Sequence, residues 1–204
     1  MKILGIDTTR KSAKIFVQND NQNYVETVDD KIKHSEGLFL YLEKALLINK
    51  LELNNFDCFC GVVGPGSFTG IRVGMSVIKA FAKALNKKII ALNSFEIVCD
   101  YIKNGVFLLN STAANCYFAD IKNGQVIESG VIAKCNILNK FDKKIYILEE
   151  EQNIINLEYK DIEIISNFDE LYFNAVNRKI NSDDYGAFEP YYLQLSQAER
   201  NVNE

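Results

Sequence analysis

Histidine is nearly missing from this chain: His34 is the only one among 204 residues, tryptophan is absent, and there are only two prolines. A single imidazole excludes any metal site built on a histidine pair, the HExxH of metallopeptidases included. It also leaves no credible Ser-His-Asp or Cys-His arrangement, and no G-x-S-x-G elbow is present. His34 stands just before Ser35 and Glu36 and reads as a helix start. The five cysteines, Cys58, Cys60, Cys99, Cys116 and Cys135, are odd in number and form no CxxC, which points to buried reduced thiols in a cytosolic protein. Cys58 and Cys60 would share one face of a strand, a packing pattern rather than a metal pattern. No apolar run approaches the ~20 residues of a membrane span, so no membrane partner is expected. Met1–Asp7 is strand-like and carries an acid early, unlike a signal peptide. Net charge is −4, the sequence pI is about 5.2, and no basic stripe is visible, so strong direct binding of nucleic acid is not expected.

What is present is an ordinary globular balance, 48% hydrophobic and 25% charged, with room for a sizeable core. Residues 2–6, 13–18 and 23–28 read as three short strands with turns at Thr9-Arg10-Lys11 and Asn19-Asp20-Asn21. Residues 35–49 read as a helix. The run Cys58-Phe59-Cys60-Gly61-Val62-Val63 suits a central strand covered on both faces. A helix over 69–85, a strand over 88–92 and a short helix over 95–103 capped by Ser94 follow. Strands at 106–109, 116–121 and 125–132 come next, the last two joined by Lys122-Asn123-Gly124, where Asn-Gly is a strong hairpin signal. Strands at 145–148 and 162–165 and a helix over 169–179 complete the pattern. The strand-hairpin opening recurs with fewer helices, which suggests a duplicated α/β core whose second copy is reduced. The expected division is residues 1–103 and 104–204.

The stretch Gly61-Val62-Val63-Gly64-Pro65-Gly66-Ser67-Phe68-Thr69-Gly70-Ile71-Arg72-Val73-Gly74 holds five of the eleven glycines. It lacks the Lys-Ser/Thr that ends a Walker A loop, and its G-x-G-x-x-x-G spacing is not the dinucleotide fingerprint. A tight turn at Pro65-Gly66 with Ser67 or Thr69 capping a helix remains, either holding an anion on free N–H groups or holding nothing. Gly70 and Gly74 lie on one helical face near Val73, Val77 and Ile78. Each glycine inside a helix costs roughly 1 kcal/mol relative to alanine, so close approach by another element is implied: a foreign helix or the chain's own sheet. The preceding helix, with Leu38, Leu42 and Leu46, is apolar nearly all round. Together the two helices predict an exposed apolar platform. If Gly74 faces outward, Gly74→Arg leaves the fold intact and blocks the partner. Asp7, ending the first strand, is the best catalytic-looking acid, placed to meet a metal-bound phosphate or to support its turn.

Gly64–Gly74 (GPGSFTGIRVG), the opening Ile3–Thr9 (ILGIDTT), His34-Ser35-Glu36 and the tail Glu189-Pro190-Tyr191-Tyr192-Leu193 resemble the bacterial TsaB family, also called YeaZ. The resemblance spans most of the chain. It implies a two-lobed α/β fold like that of actin and the sugar kinases, a duplicated RNase H-like fold with a reduced second lobe. It also implies a non-catalytic paralog of TsaD, the transferase that adds threonylcarbamoyl to the adenosine beside the anticodon of tRNA (t6A). Implied partners are TsaD, the ATPase TsaE and, for the chain alone, a second copy; tRNA is contacted only indirectly, in the cytoplasm. No cofactor of its own is implied: ATP or ADP and metal belong to the partner subunits. Asp7, Gly64, Pro65, Gly66, Ser67 and Thr69 would lie near the nucleotide or partner junction. Leu38, Leu42, Leu46, Gly70, Arg72, Val73, Gly74, Val77 and Ile78 would form the partner interface. Two departures stand out: Asn110–Tyr117 (NSTAANCY) lacks the charge of the family's Asp-Ala-Arg-like stretch, and Gln194 replaces an arginine after Tyr-Leu. Two other functions remain on the table, a self-sufficient ATP-dependent phosphotransferase using Asp7 and the glycine loop, and a glycoprotease, which the missing histidines oppose.

Overall fold

The structure is a computed structural model that describes residues 1–20, 22–29, 34–154 and 161–194. Asn21, the side chains of 34–36 and the residues after Gln194, all of which enter the sequence reading, lie outside the described residues. Short alternating segments separated by polar turns favour antiparallel pairing, and β1 (Lys2–Asp7), β2 (Lys14–Asn19) and β3 (Gln22–Thr27) form that meander. The helix α1 (His34–Asn49) leads through a 3₁₀ turn at Leu53–Asn55 to β4 (Cys58–Gly64), which pairs parallel with β1. All seven β4 residues are buried, as a continuous apolar run in a central strand demands. α2 (Phe68–Leu85) and β5 (Lys88–Asn93) close the first sheet in the order β3-β2-β1-β4-β5. Leu4, Ile6, Ile15, Val17 and Phe59 from the strands meet Leu38, Leu42, Ala45, Ile78 and Ala82 from the two helices in one core.

The same wiring recurs in the second half. β6 (Asn104–Asn110), β7 (Asn115–Lys122) and β8 (Gln125–Ala133) form an antiparallel meander, and β9 (Ile145–Leu148) and β10 (Ile162–Ile165) add in parallel. The strand order β8-β7-β6-β9-β10 repeats the first sheet position for position. Asn123 (φ 53°) and Gly124 (φ 70°) both take left-handed backbone in the two-residue β7–β8 turn, the conformation that Asn-Gly adopts at least cost. The reduction is visible in the helices: a four-residue α3 (Ile137–Lys140) stands where α1 has 16 residues, and a 3₁₀ stretch at Glu149–Ile154 stands where α2 has 18. The fold is therefore the doubled, two-lobed α/β class with a reduced second half.

Two expectations change. The helix expected over 95–103 is only a 3₁₀ turn at Glu96–Val98, with Ile97 and Val98 both fully buried; Phe95, not Ser94, precedes it, and no side-chain cap bond forms. The division is not 1–103 and 104–204 either. One unit comprises Met1–Asn93 with Phe173–Tyr191, and the other Ser94–Tyr172 with the residues after Tyr191. The final helix α4 (Phe168–Asn181) contributes its later turns to the first unit, where Phe173 packs edge-on against Phe16 and Asn177 accepts a hydrogen bond from Gln18. A helix amphipathic enough to bury its apolar side takes whichever sheet face is open, and sequence order does not specify which.

Candidate functional site

The glycine-rich loop joins β4 to α2, and its nearest neighbour is the turn after β1. Ser67 caps α2, accepting from the Gly70 N–H at 3.2 Å, and donates its own N–H to the Thr9 carbonyl at 2.7 Å. The Thr8 hydroxyl donates to the Gly70 carbonyl at 2.6 Å. A Cβ added at Gly66 or Gly70 would collide with the Thr9 or Thr8 carbonyl oxygen, and one at Gly74 with the Thr8 hydroxyl. Gly64 has φ 115°, and a Cβ there would lie 2.6 Å from the Tyr191 carbonyl. Glycine is needed so that two segments of this same chain can approach: the β1–β2 turn and the tail. Pro65 is buried within the loop, whereas Ser67 and Thr69 are exposed at the helix start.

Asp7 is brought to this loop, and it is fully engaged there. One carboxylate oxygen accepts from the Thr9 N–H (2.9 Å) and hydroxyl (2.7 Å); the other accepts from Arg10 Nη2 at 2.8 Å. Both side chains of the ion pair are buried. Sequence reading placed Arg10 in a turn and missed its role. The signal was available in the i,i+3 spacing of Asp7 and Arg10 across a hairpin. Among the described residues no three His, Cys, Asp or Glu side chains gather as a metal site.

The expected interface divides in two. Leu38, Leu42, Gly70, Gly74 and Ile78 are buried inside the first unit and offer nothing to a partner. The close approach that the helical glycines permit is to Thr8 of the chain's own turn, so the expectation that Gly74→Arg folds normally is overturned: the side chain would have to displace that turn. Leu46, Val73 and Val77 are half-buried at the seam of α1 and α2, and Arg72 is exposed with its guanidinium 4.0 Å over the Phe68 ring. The exposed apolar side chains of α1 are other residues than those expected, and exposed Glu43 and Lys44 stand between them. Phe39 (54% exposed), Leu40 (62%), Leu47 (77%) and Ile48 (51%) stand on the outer side of α1. The low amphipathicity of this helix was the correct signal; which of its leucines face out depended on where the sheet lies.

Edge strand β3 anchors α1. Lys44 donates to Glu26 at 2.8 Å, and the Tyr24 hydroxyl donates to the same carboxylate. Burial alone would raise the Glu26 pKa, but the hydrogen bonds from Lys44 and Tyr24 outweigh it and hold the carboxyl below its usual range. The hydrogen bond to Glu26, with burial, pushes Tyr24 up to about 12. Of the five cysteines, Cys58, Cys60, Cys99 and Cys116 are buried free thiols and Cys135 is exposed, contrary to the expectation for that one. Burial pushes both Cys58 and Cys116 up to about 11. The two departures from the family pattern meet in the second unit, where the Ser111 hydroxyl donates to the Gln194 side-chain carbonyl at 2.8 Å.

Residues 29–159 match the family described as TsaD: tRNA N6-adenosine threonylcarbamoyltransferase. The tRNA threonylcarbamoyladenosine biosynthesis protein TsaB of Buchnera aphidicola subsp. Schizaphis graminum is 22% identical over 168 residues, 78% of this chain and 80% of that protein. The tRNA N6-adenosine threonylcarbamoyltransferase of Rhizobium johnstonii is 27% identical over 117 residues, which is 47% of this chain and only 32% of that enzyme. In fold, YeaZ from Pseudomonas aeruginosa superposes with a TM-score of 0.73 at 14% identity, covering 94% of this chain and 99% of its own. The matched span covers more than half of the chain, so the chain belongs to the TsaD threonylcarbamoyltransferase family, and over most of its length it is similar to TsaB (YeaZ) proteins.

Proposed function

We propose that this chain is a non-catalytic accessory subunit in the biosynthesis of threonylcarbamoyladenosine in tRNA, and that it acts by binding and activating TsaD. The exposed apolar side of α1 carries this reading. Phe39 and Leu40 in the first half of α1 and Leu47 and Ile48 at its end are large apolar side chains left exposed, with exposed Glu43 and Lys44 between the two pairs, a mixed apolar and charged side of the kind found at protein interfaces. Half-buried Leu46, Val73 and Val77 and exposed Arg72 lie on the same two helices. The match to the TsaD family spans residues 29–159 and so includes both α1 and α2, so a related TsaD chain is the proposed occupant and a second copy of this chain takes its place when TsaD is absent. TsaE joins the pair. Nucleotide and metal stay with those partners, and tRNA is reached through them, in keeping with a net charge of −4. The work is placed in the cytoplasm.

A phosphotransferase reading would require Asp7 to meet a metal-bound phosphate, and its carboxylate is instead occupied by Thr9 and Arg10. A glycoprotease reading would require metal-binding histidines, and His34 is the only one. The test is reconstitution of t6A formation with TsaD, TsaE, threonylcarbamoyl donor and tRNA, with and without this chain. Modification that depends on the chain, with none from the chain alone, is expected. Equal modification without it, or transfer by the chain alone, would sink the proposal.

A further inference from the structure

We infer that the turn Thr8-Thr9-Arg10 is a built-in stopper that excludes a metal-bound nucleotide from the first unit, with the Arg10 guanidinium standing where a cation would otherwise meet Asp7. The inference goes beyond the accessory role, because it concerns what the isolated chain can bind. A carboxylate buried at the end of a strand must be compensated by a cation or by hydrogen bonds, or else be protonated. Here all the compensation is internal: Thr9 N–H and hydroxyl on one oxygen, Arg10 Nη2 on the other. Magnesium demands about six oxygens near octahedral geometry and keeps several waters. Asp7 and Arg10 are both buried, so neither that hydration shell nor the ion has space while Arg10 stays.

The same turn closes the phosphate side. An 18-residue helix such as α2 presents free N–H groups and a positive dipole end to an anion. In this chain the Ser67 N–H is given to the Thr9 carbonyl and the Gly70 N–H to the Ser67 hydroxyl. The Thr8 and Thr9 carbonyl oxygens press into the spaces that side chains at Gly70 and Gly66 would fill. Carbonyl oxygens in that position repel phosphate oxygens. Three consecutive residues therefore fill both halves of a metal-nucleotide site with the chain's own charge and dipoles.

The test uses the full chain without partners, so its outcome is separate from that of the t6A reconstitution. Manganese uptake is read by electron paramagnetic resonance, and thermal unfolding is followed with and without MnCl2 at about 1 mM, the weak end of protein sites for hard divalent cations. Wild type should take up no manganese and show no shift with MnCl2 or Mg-ATP. Arg10→Ala should melt roughly 10 °C lower, as loss of one partner of a buried pair implies, and should take up manganese and regain part of that loss. Asp7→Asn/Arg10→Ala should melt above Arg10→Ala and ignore manganese. If Arg10→Ala does not fold, Arg10→Gln, which keeps Asp7 and a hydrogen-bond donor, takes its place: manganese uptake by that variant supports the stopper, and a folded Arg10→Gln indifferent to manganese contradicts it. Manganese or Mg-ATP binding by wild type that disappears in Asp7→Asn would overturn the inference, as would an Arg10→Ala protein indifferent to manganese.

Discussion

At Gly70 a methyl group would land on the carbonyl oxygen of Thr8, and at Gly66 on that of Thr9. The helix gains from alanine, by about 1 kcal/mol, but it cannot yield at Gly70, because the Thr8 hydroxyl already holds the Gly70 carbonyl and the neighbouring turn is buried. Overpacking of this kind costs about 1–3 kcal/mol and more where backbone must move. Gly70→Ala is therefore expected to melt about 4–8 °C below wild type for a chain of this length, while Ser76→Ala on the exposed side of the same helix should be neutral or slightly stabilising. Calorimetric melting of the two variants decides it; an unshifted Gly70→Ala would mean that the glycine is not there for the turn. The spacing of Gly70 and Gly74 was legible as a close-approach face. Its occupant was not, because a foreign helix and the chain's own turn ask the same thing of a glycine, and Thr8 lies 62 residues away in sequence.

Helix α1 has two obligations that its sequence mixes together. Leu38, Leu42 and Ala45 complete the core of the first sheet, and Phe39, Leu40, Leu47 and Ile48 face out. The helix holds its place against edge strand β3 through the Lys44–Glu26–Tyr24 group. The carboxyl of Glu26 is lowered from its ordinary value of 4.5, so its contribution to stability is present above that value and is lost as pH falls through the depressed folded value. Tyr24, raised to about 12, contributes below pH 10 and ceases to as pH rises through its folded value. Urea midpoints of wild type and Glu26→Gln should thus differ most near pH 7 and converge as pH falls below about 4.5; a gap that stays constant down to pH 3 would contradict the role given to this carboxylate. Strands were the most legible elements. β9 and β10 begin and end where the apolar runs do, and Asn123-Gly124 marks its hairpin, since alternation and turn chemistry are local. The short α3 was missed because four residues carry no periodicity. The shortened turn at Glu96–Val98 was misjudged because the reading rested on Ser94 as a cap, and the turn starts after Phe95 with no side-chain cap bond.

Across the whole molecule, one topology appears twice, and only the first copy keeps two long helices. The proposed function and the proposed stopper both draw on that first copy: its α1 supplies the surface and its Thr8-Thr9-Arg10 turn engages Asp7. Family membership was legible in the order of short motifs along the chain, and the matched span from 29 to 159 agrees with it. Which leucines belong to the surface was not legible, since Leu38 and Leu40 differ only in the side of a helix on which the sheet happens to lie. The central claim is that the outer side of α1 binds TsaD. Calorimetric titration of TsaD into this chain tests it directly, comparing wild type with Leu40→Asp/Leu47→Asp, two positions that are 62% and 77% exposed. Buried interface anchors typically lose 2 kcal/mol or more each on removal, and about 1.4 kcal/mol is a tenfold change in affinity. The double variant should keep the wild-type melting temperature and bind TsaD at least about 100-fold more weakly; a folded double variant that binds TsaD with wild-type affinity would contradict the account.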